Sequence, residues 1–244
     1  MKVIIRASDM GISEAYNEGA LKAIDEGIVT TVEVMLDMQG SENALCEMKK
    51  RPWVTLNWHP RFMGKPAEAD ADVLKARLRE EVETCIRLYG QAPFAVTLKD
   101  AGDAAEIVRE VAEAYGIITH YYKDCGLHDY DGLGKAGLSF NDYRAYDPMS
   151  ELKAMPESDG VTVCTFYPGF LDAYSLRLLL KDGDSERNIH RIQDVVVLCS
   201  DEIKSWVAER GIELVSLRDV VWGKCDYQNK LVCDGRPYAV PAKQ

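Results

Sequence analysis

Two residues stand where chemistry is expected. Asp9 follows the apolar run Val3–Ala7 in "VIIRASDMGIS", and His59 follows "WVTLNW". Short apolar runs are how parallel strands covered on both faces read. In α/β folds, ligands bind beyond the carboxyl ends of such strands. A carboxylate and an imidazole placed there can ligate a divalent metal or move a proton. The plainer readings are an Asp9 bonded to its own turn and a His59 packed against its loop. Other strand ends carry Lys99-Asp100, Tyr121-Tyr122 and Tyr167, with Arg191 further along.

The elements that must position these groups alternate strand and helix. Strands are predicted at 2–7, 28–36, 53–58, 93–100, 117–122, 161–167 and 212–216. A helix starts near Ser13 with Ala20, Leu21, Ile24 and Ile28 on one face, and a short one is capped by Ser41. The clearest helix, 70–89, has Leu74, Leu78, Val82, Cys85, Ile86 and Tyr89 in one stripe and Gly90 as its stop. Asp103 and Glu106 have the spacing of a capping box, and a long helix before 212 is interrupted near Ser200. Residues 123–149, rich in Gly, Asp and Tyr, read as a long loop, and such loops are usually functional. The prediction is one α/β domain over 1–223, a seven-stranded parallel barrel-like sheet with helices outside, then an irregular tail over 224–244.

Composition narrows the function classes. The chain has 244 residues, 47% of them hydrophobic and 28% charged, as in an ordinary soluble domain. Its net charge of −11 argues against nucleic acid, which needs a basic face. No apolar run approaches the ~18 residues of a membrane span, so no membrane partner is expected. The first residues, "MKVIIRASD", are too short and too soon charged for a signal peptide, and a cytoplasmic location is the expectation. Seven cysteines without a C-x-x-C pair suit reduced thiols; Cys225 and Cys233 lack visible zinc partners. A homodimer is compatible with the sequence.

"RASDMGISEAYNEGALKAIDEGIVTTVEVML" resembles the opening of the YdjC-like carbohydrate deacetylases, an Asp-Asp-Phe-Gly turn, a helix and a Gly-Ile-Val-Thr-Ser strand. "LNWHP" resembles that family's Gly-x-His-Leu strand end, and "FYPGFLD" its His-Pro-Gly-Tyr segment. "RIQDVVVLCSDEIKSWVAERGIELVS" is similar to its closing Arg-x-x-Glu helix and last strand, so the resemblance spans about 2–220. It implies a distorted barrel that removes acetyl groups from N-acetylated sugars with a divalent metal, Mg or Zn. By resemblance Asp9 and His59 are metal ligands. Ser8 stands where the base Asp belongs, Lys99 or Asp100 falls near the second histidine, and Tyr167 replaces the histidine of His-Pro-Gly. Asp9, Ser8, Lys99 and Tyr167 are thus the candidate catalytic positions, and Arg191, Asp100 and Tyr122 the substrate-binding ones. A Lys99 ammonium beside Asp9 would put one cation in place of another. The missing base leaves two expectations: a deacetylase-type hydrolase of changed mechanism, or an inactive sugar- or metabolite-binding protein that keeps the pocket.

Overall fold

In the computed structural model, the residues described are 1–60, 70–99, 101–130, 133, 146–181 and 188–223. The tail beyond 223, most of the loop between 130 and 146, Asp100, Cys225 and Cys233 lie outside them. The central strand, β1 (Lys2–Met10), pairs in parallel with β5 (Val161–Phe166) on one side. On its other side it pairs with β6 (Glu213–Leu214) at its start and β2 (Thr31–Val34) further on. β3 (Thr55–Trp58) lies outside β2, and β4 (Leu127–Asp129) outside β5.

Six strands are found among the described residues rather than seven. The expected strand at 93–100 is reduced to two isolated bridges, Val96 to Trp58 and Ala95 to Ile118, and the second of these is the one bridge of the expected strand at 117–122. Pro93 lacks an N–H, and the chain turns at Lys99, so only the stretch from Phe94 to Thr97 bonds its neighbours. In the opposite sense, 127–129, read from sequence as loop, is β4.

Period-two alternation sorts the strand residues onto two faces. Val3, Ile5, Ala7, Val32, Val34, Leu56, Trp58, Cys164 and Phe166 join the large core that also contains helix residues. These come from α1 (Glu14–Asp25), α2 (Ser41–Met48), α3 (Ala71–Tyr89) and α4 (Ala105–Ala114), among others. On the other face Ile4 meets Ala95, Tyr121, Leu127, Val161, Val163, Val215 and Leu217 in a second cluster. That cluster joins residues of β1, β4 and β5 to Ala95, Tyr121, Val215 and Leu217. Further along the strands the same face turns polar.

Local signals fare unevenly. Gly90 closes α3 at φ 103°, and Ser200 caps α8 (Asp201–Glu209), splitting it from α7 (Asn188–Cys199). Ser41 does not cap: it is the first residue of α2, and its hydroxyl bonds the Met35 and Met38 carbonyls. Asp103 falls in a 3-10 turn, and α4 starts at Ala105 without a side-chain cap. Helices α5 (Pro148–Lys153), α6 (Ala173–Lys181) and α9 (Leu217–Trp222) complete the order.

Candidate active site

The site is built on a bulge. Ala7 pairs with Val32 and Met10 with Val34, so two residues of β1, Ser8 and Asp9, lie opposite the single β2 residue Glu33. Asp9 takes a left-handed φ of 63°, the only positive φ outside glycine among the described residues. Such a residue costs of order 1–3 kcal/mol and persists where surroundings over-determine it. Gly11 follows at φ 104°, and a Cβ there would meet the Met35 carbonyl oxygen at 2.4 Å. In a regular strand Ser8 and Asp9 would face opposite ways; the bulge re-aims them to one point.

That point is His59. Its Nδ1 lies 3.4 Å from Asp9 Oδ1 and 3.2 Å from Ser8 Oγ. All three residues are buried. The other Asp9 oxygen, Oδ2, accepts from Arg191 Nη2 at 3.2 Å. Arg191 also donates to the Tyr16 hydroxyl and stacks over the Tyr16 and Tyr167 rings. The cation beside Asp9 is therefore Arg191, whereas Lys99 is exposed and lines a cavity. Arg191 is 1% exposed, and its guanidinium is bonded to Asp9 and Tyr16.

One layer deeper, Ser8 donates to Glu33 Oε2 at 2.7 Å. Thr97 donates to the other Glu33 oxygen, which Arg6 Nη1 approaches to 3.3 Å. Burial alone would raise the Glu33 carboxyl; Arg6, His59, Thr97 and Ser8 outweigh it and hold it below the usual range. Arg6 also donates to Thr165, Tyr122 and Asp129. A cavity of about 560 Å³ opens beside this layer, lined by Arg6, Thr97, Lys99, Tyr121, Tyr122 and Asp129, among others. Sequence reasoning missed Arg6 and Glu33, although each is a charge inside an apolar strand, which is rarely idle.

Behind Arg191, Asp194 accepts from the Tyr146 hydroxyl at 2.5 Å and the Tyr167 backbone N–H at 2.8 Å. The Tyr16 hydroxyl donates to the Tyr167 carbonyl at 3.1 Å, so Tyr167 is held at both backbone ends. Burial pushes the Asp194 carboxyl up to about 7 despite these bonds.

Three comparisons bear on this geometry. The family model described as YdjC-like protein matches residues 2–69. A carbohydrate deacetylase from Brevibacillus brevis is 37% identical over 254 residues, covering 90% of this chain and 100% of the relative. The chain belongs to the YdjC-like carbohydrate deacetylase family. Among solved structures, an Enterococcus faecalis V583 protein aligns at TM-score 0.64 and 17% identity, over 90% of this chain and 98% of that one. A family 4 acetyl xylan esterase from Clostridium thermocellum, in complex with a cobalt ion, aligns at TM-score 0.55 and 8% identity, over 93% and 94%. Both show likeness of fold.

Among the described residues, the metal ligands expected by resemblance are Asp9 and His59. Among the described residues no group of three His, Cys, Asp or Glu side chains gathers to hold an ion. Asp9 and His59 offer two donors, one Asp9 oxygen is shared with a guanidinium, and His59 Nδ1 faces Ser8 and Asp9. Tetrahedral and octahedral ions want more.

Proposed function

We propose that this chain is a deacetylase-type hydrolase acting on an N-acetylated sugar or a related small molecule. The observation that carries this reading is the 3.4 Å approach of the buried Asp9 and His59 at the carboxyl end of the sheet, joined through Ser8, Glu33 and Arg6 to an open cavity that Arg6 lines. The 37% identical carbohydrate deacetylase supports it. The shared cluster of Ile4, Tyr121, Leu127 and Val215 supports a barrel-like wrap that presents this end to substrate. No helix among the described residues is long and apolar enough to cross a membrane, and Cys46, Cys85, Cys125, Cys164 and Cys199 are free thiols, as a cytoplasmic enzyme would have.

Amide hydrolysis needs a group to take a proton from water and donors for the developing oxyanion. His59 is the proton acceptor in this reading, with Asp9 and Arg191 fixing its ring. Ser8 is no base, because its hydroxyl donates to Glu33. Lys99 lines the cavity and offers a donor, and Tyr122 lines it with its hydroxyl donated to Asp129. Among the described residues, magnesium or zinc, the cofactors expected from the family, would have Asp9 and His59 to hold them. The test is acetate release from N-acetylated mono- and oligosaccharides by the parent protein and by His59→Ala. Turnover lost in the variant supports the reading; turnover unchanged in a folded variant overturns it.

A second reading, an inactive sugar- or metabolite-binding protein, draws on one observation. The two carboxylates that flank Ser8 are already matched by guanidinium groups, Asp9 by Arg191 and Glu33 by Arg6. A sugar that raises the melting temperature without releasing acetate would favour it.

A further inference from the structure

We propose that Glu33 is a positioning residue that fixes the tautomer of His59 through the Ser8 hydroxyl, leaving Nδ1 protonated and Nε2 as the nitrogen that does chemistry. A serine hydroxyl has one proton to give. Ser8 Oγ has two neighbours that could take it, Glu33 Oε2 at 2.7 Å and His59 Nδ1 at 3.2 Å. Glu33 is a buried carboxylate paired with Arg6 and bonded by Thr97, so it is ionised and accepts only. The shorter contact to a charged acceptor takes the proton. Ser8 Oγ then turns a lone pair towards His59, and the only group that can complete that contact is an N–H at Nδ1.

The second neighbour of Nδ1 agrees. Asp9 Oδ1 lies 3.4 Å away, on a carboxylate whose other oxygen is held by Arg191. Two acceptors thus face one ring nitrogen, and both ask it to carry a proton. The relay runs His59 Nδ1–H to Ser8 Oγ–H to Glu33 Oε2, across three adjacent strand positions. The carboxylate that usually orients a working histidine sits one hydroxyl further away, on β2. This arrangement also excludes Ser8 as a nucleophile activated by His59, since the serine proton points away from the ring.

The tautomer stands on this geometry alone; its catalytic meaning rests on the hydrolase reading above. The test is nitrogen-15 NMR of the histidine rings in the full chain. There are four histidines, and the His59 signals are assigned by their loss in His59→Gln. The expected result for the parent is a neutral His59 ring with its proton on Nδ1. A bare Nδ1 overturns the proposal whether or not the protein turns over. Glu33→Gln supplies the second arm. The Arg6 guanidinium draws the amide oxygen, which leaves the amide N–H₂ facing Ser8. Ser8 then accepts there and turns its proton to His59, so the Nε2–H form becomes populated. Unchanged His59 nitrogens in a folded Glu33→Gln overturn the role of Glu33 and pass the orienting role to Asp9. Should that variant not fold, Ser8→Ala cuts the same relay; a moved Nδ1 signal supports the proposal, and an unmoved one overturns it. Absence of acetate release with Nδ1 protonated as expected would count against the hydrolase reading only.

Discussion

Arg191 Nη2 lies 3.2 Å from Asp9 Oδ2, a contact that joins residues 182 positions apart. It ties the last part of the fold to the first strand at the point where that strand bulges. Both partners are fully buried, so neither charge has water as an alternative. Removing one partner of such a pair leaves an uncompensated charge, at a cost of about 3–5 kcal/mol. Arg191→Ala should lose about that much stability in urea unfolding. Arg191→Lys should recover part of it, since the charge returns but the planar fork to Asp9 and Tyr16 does not. A loss below about 1 kcal/mol for Arg191→Ala would show that the contact contributes little to folding.

Asp194 makes stability depend on pH with a definite sign. Its carboxyl titrates near 3.8 in an unstructured chain and near 7 in the fold, where burial outweighs the bonds from Tyr146 and Tyr167. Between those values the unfolded chain has released this proton while the folded one keeps it. The Asp194 contribution is therefore fully present below about pH 4 and is lost as pH rises through about 7. Asp194→Asn removes this dependence. The stability difference between parent and variant should shift by a few kcal/mol across that window, in favour of the variant at higher pH. Chemical denaturation at several pH values measures it, and a flat difference would contradict the assignment.

Glu33 acts in the opposite sense. Its folded carboxyl lies below the usual range, so its contribution is present at neutral pH and is lost as pH falls through the lowered value. Arg6 and Glu33 face one another with side chains only 6% and 3% exposed. Arg6→Met and Glu33→Leu should each destabilise by about 3–5 kcal/mol, and the double variant by less than the sum. Additive losses in a double-mutant cycle would deny the coupling. Asp129 and Tyr122 also bond Arg6, so some loss should remain in the double variant.

The uneven legibility of this site in the sequence has physical causes. Asp9 and His59 announced themselves because each ends an apolar run, and strand ends are where ligands meet such sheets. The pairing of Lys99 with Asp9 failed because strand order does not reveal which cation folds back; Arg191 comes from α7, far along the chain. Glu33 and Arg6 carried a signal, a charge amid β-branched and apolar neighbours, but their partners are set by register. The bulge at Ser8-Asp9 had no signature beyond Gly11 two positions on. The segments 93–100 and 117–122 look continuous by composition, yet tertiary geometry leaves them only isolated bridges, Trp58–Val96 and Ala95–Ile118.

Metal content offers a separate check. Protein purified without added metal should carry well under one equivalent of zinc, magnesium or cobalt by elemental analysis. Two donors and an adjacent guanidinium make a weak site, and a chelator should leave the melting temperature unchanged. Stoichiometric metal that survives dialysis would mean that a third ligand joins from residues outside those described, with Asp100 the first to test by substitution.

Restoring a base carboxylate at position 8 is the sharpest probe of the chemistry, and the structure dictates how it must be done. Ser8 Oγ lies 2.7 Å from Glu33 Oε2, so Ser8→Asp alone brings two carboxylates together in a buried site. One of them would have to bind a proton, and the variant should unfold at lower denaturant than the parent. Glu33→Gln in the same chain removes the clash and leaves the introduced carboxylate ionised beside His59. Glu33→Gln also gives up the Arg6 pairing, so the signature of the Ser8–Glu33 contact is that Ser8→Asp with Glu33→Gln should lose less stability than the sum of the two single variants. A positioned general base contributes about 10²–10⁴-fold, and in the double variant the introduced carboxylate would take over that part from His59, so acetate release from N-acetylated sugars should persist when His59→Ala is added, as it does not in the parent. A double variant that folds, binds sugar and still releases no acetate would count against the hydrolase and for the binding protein.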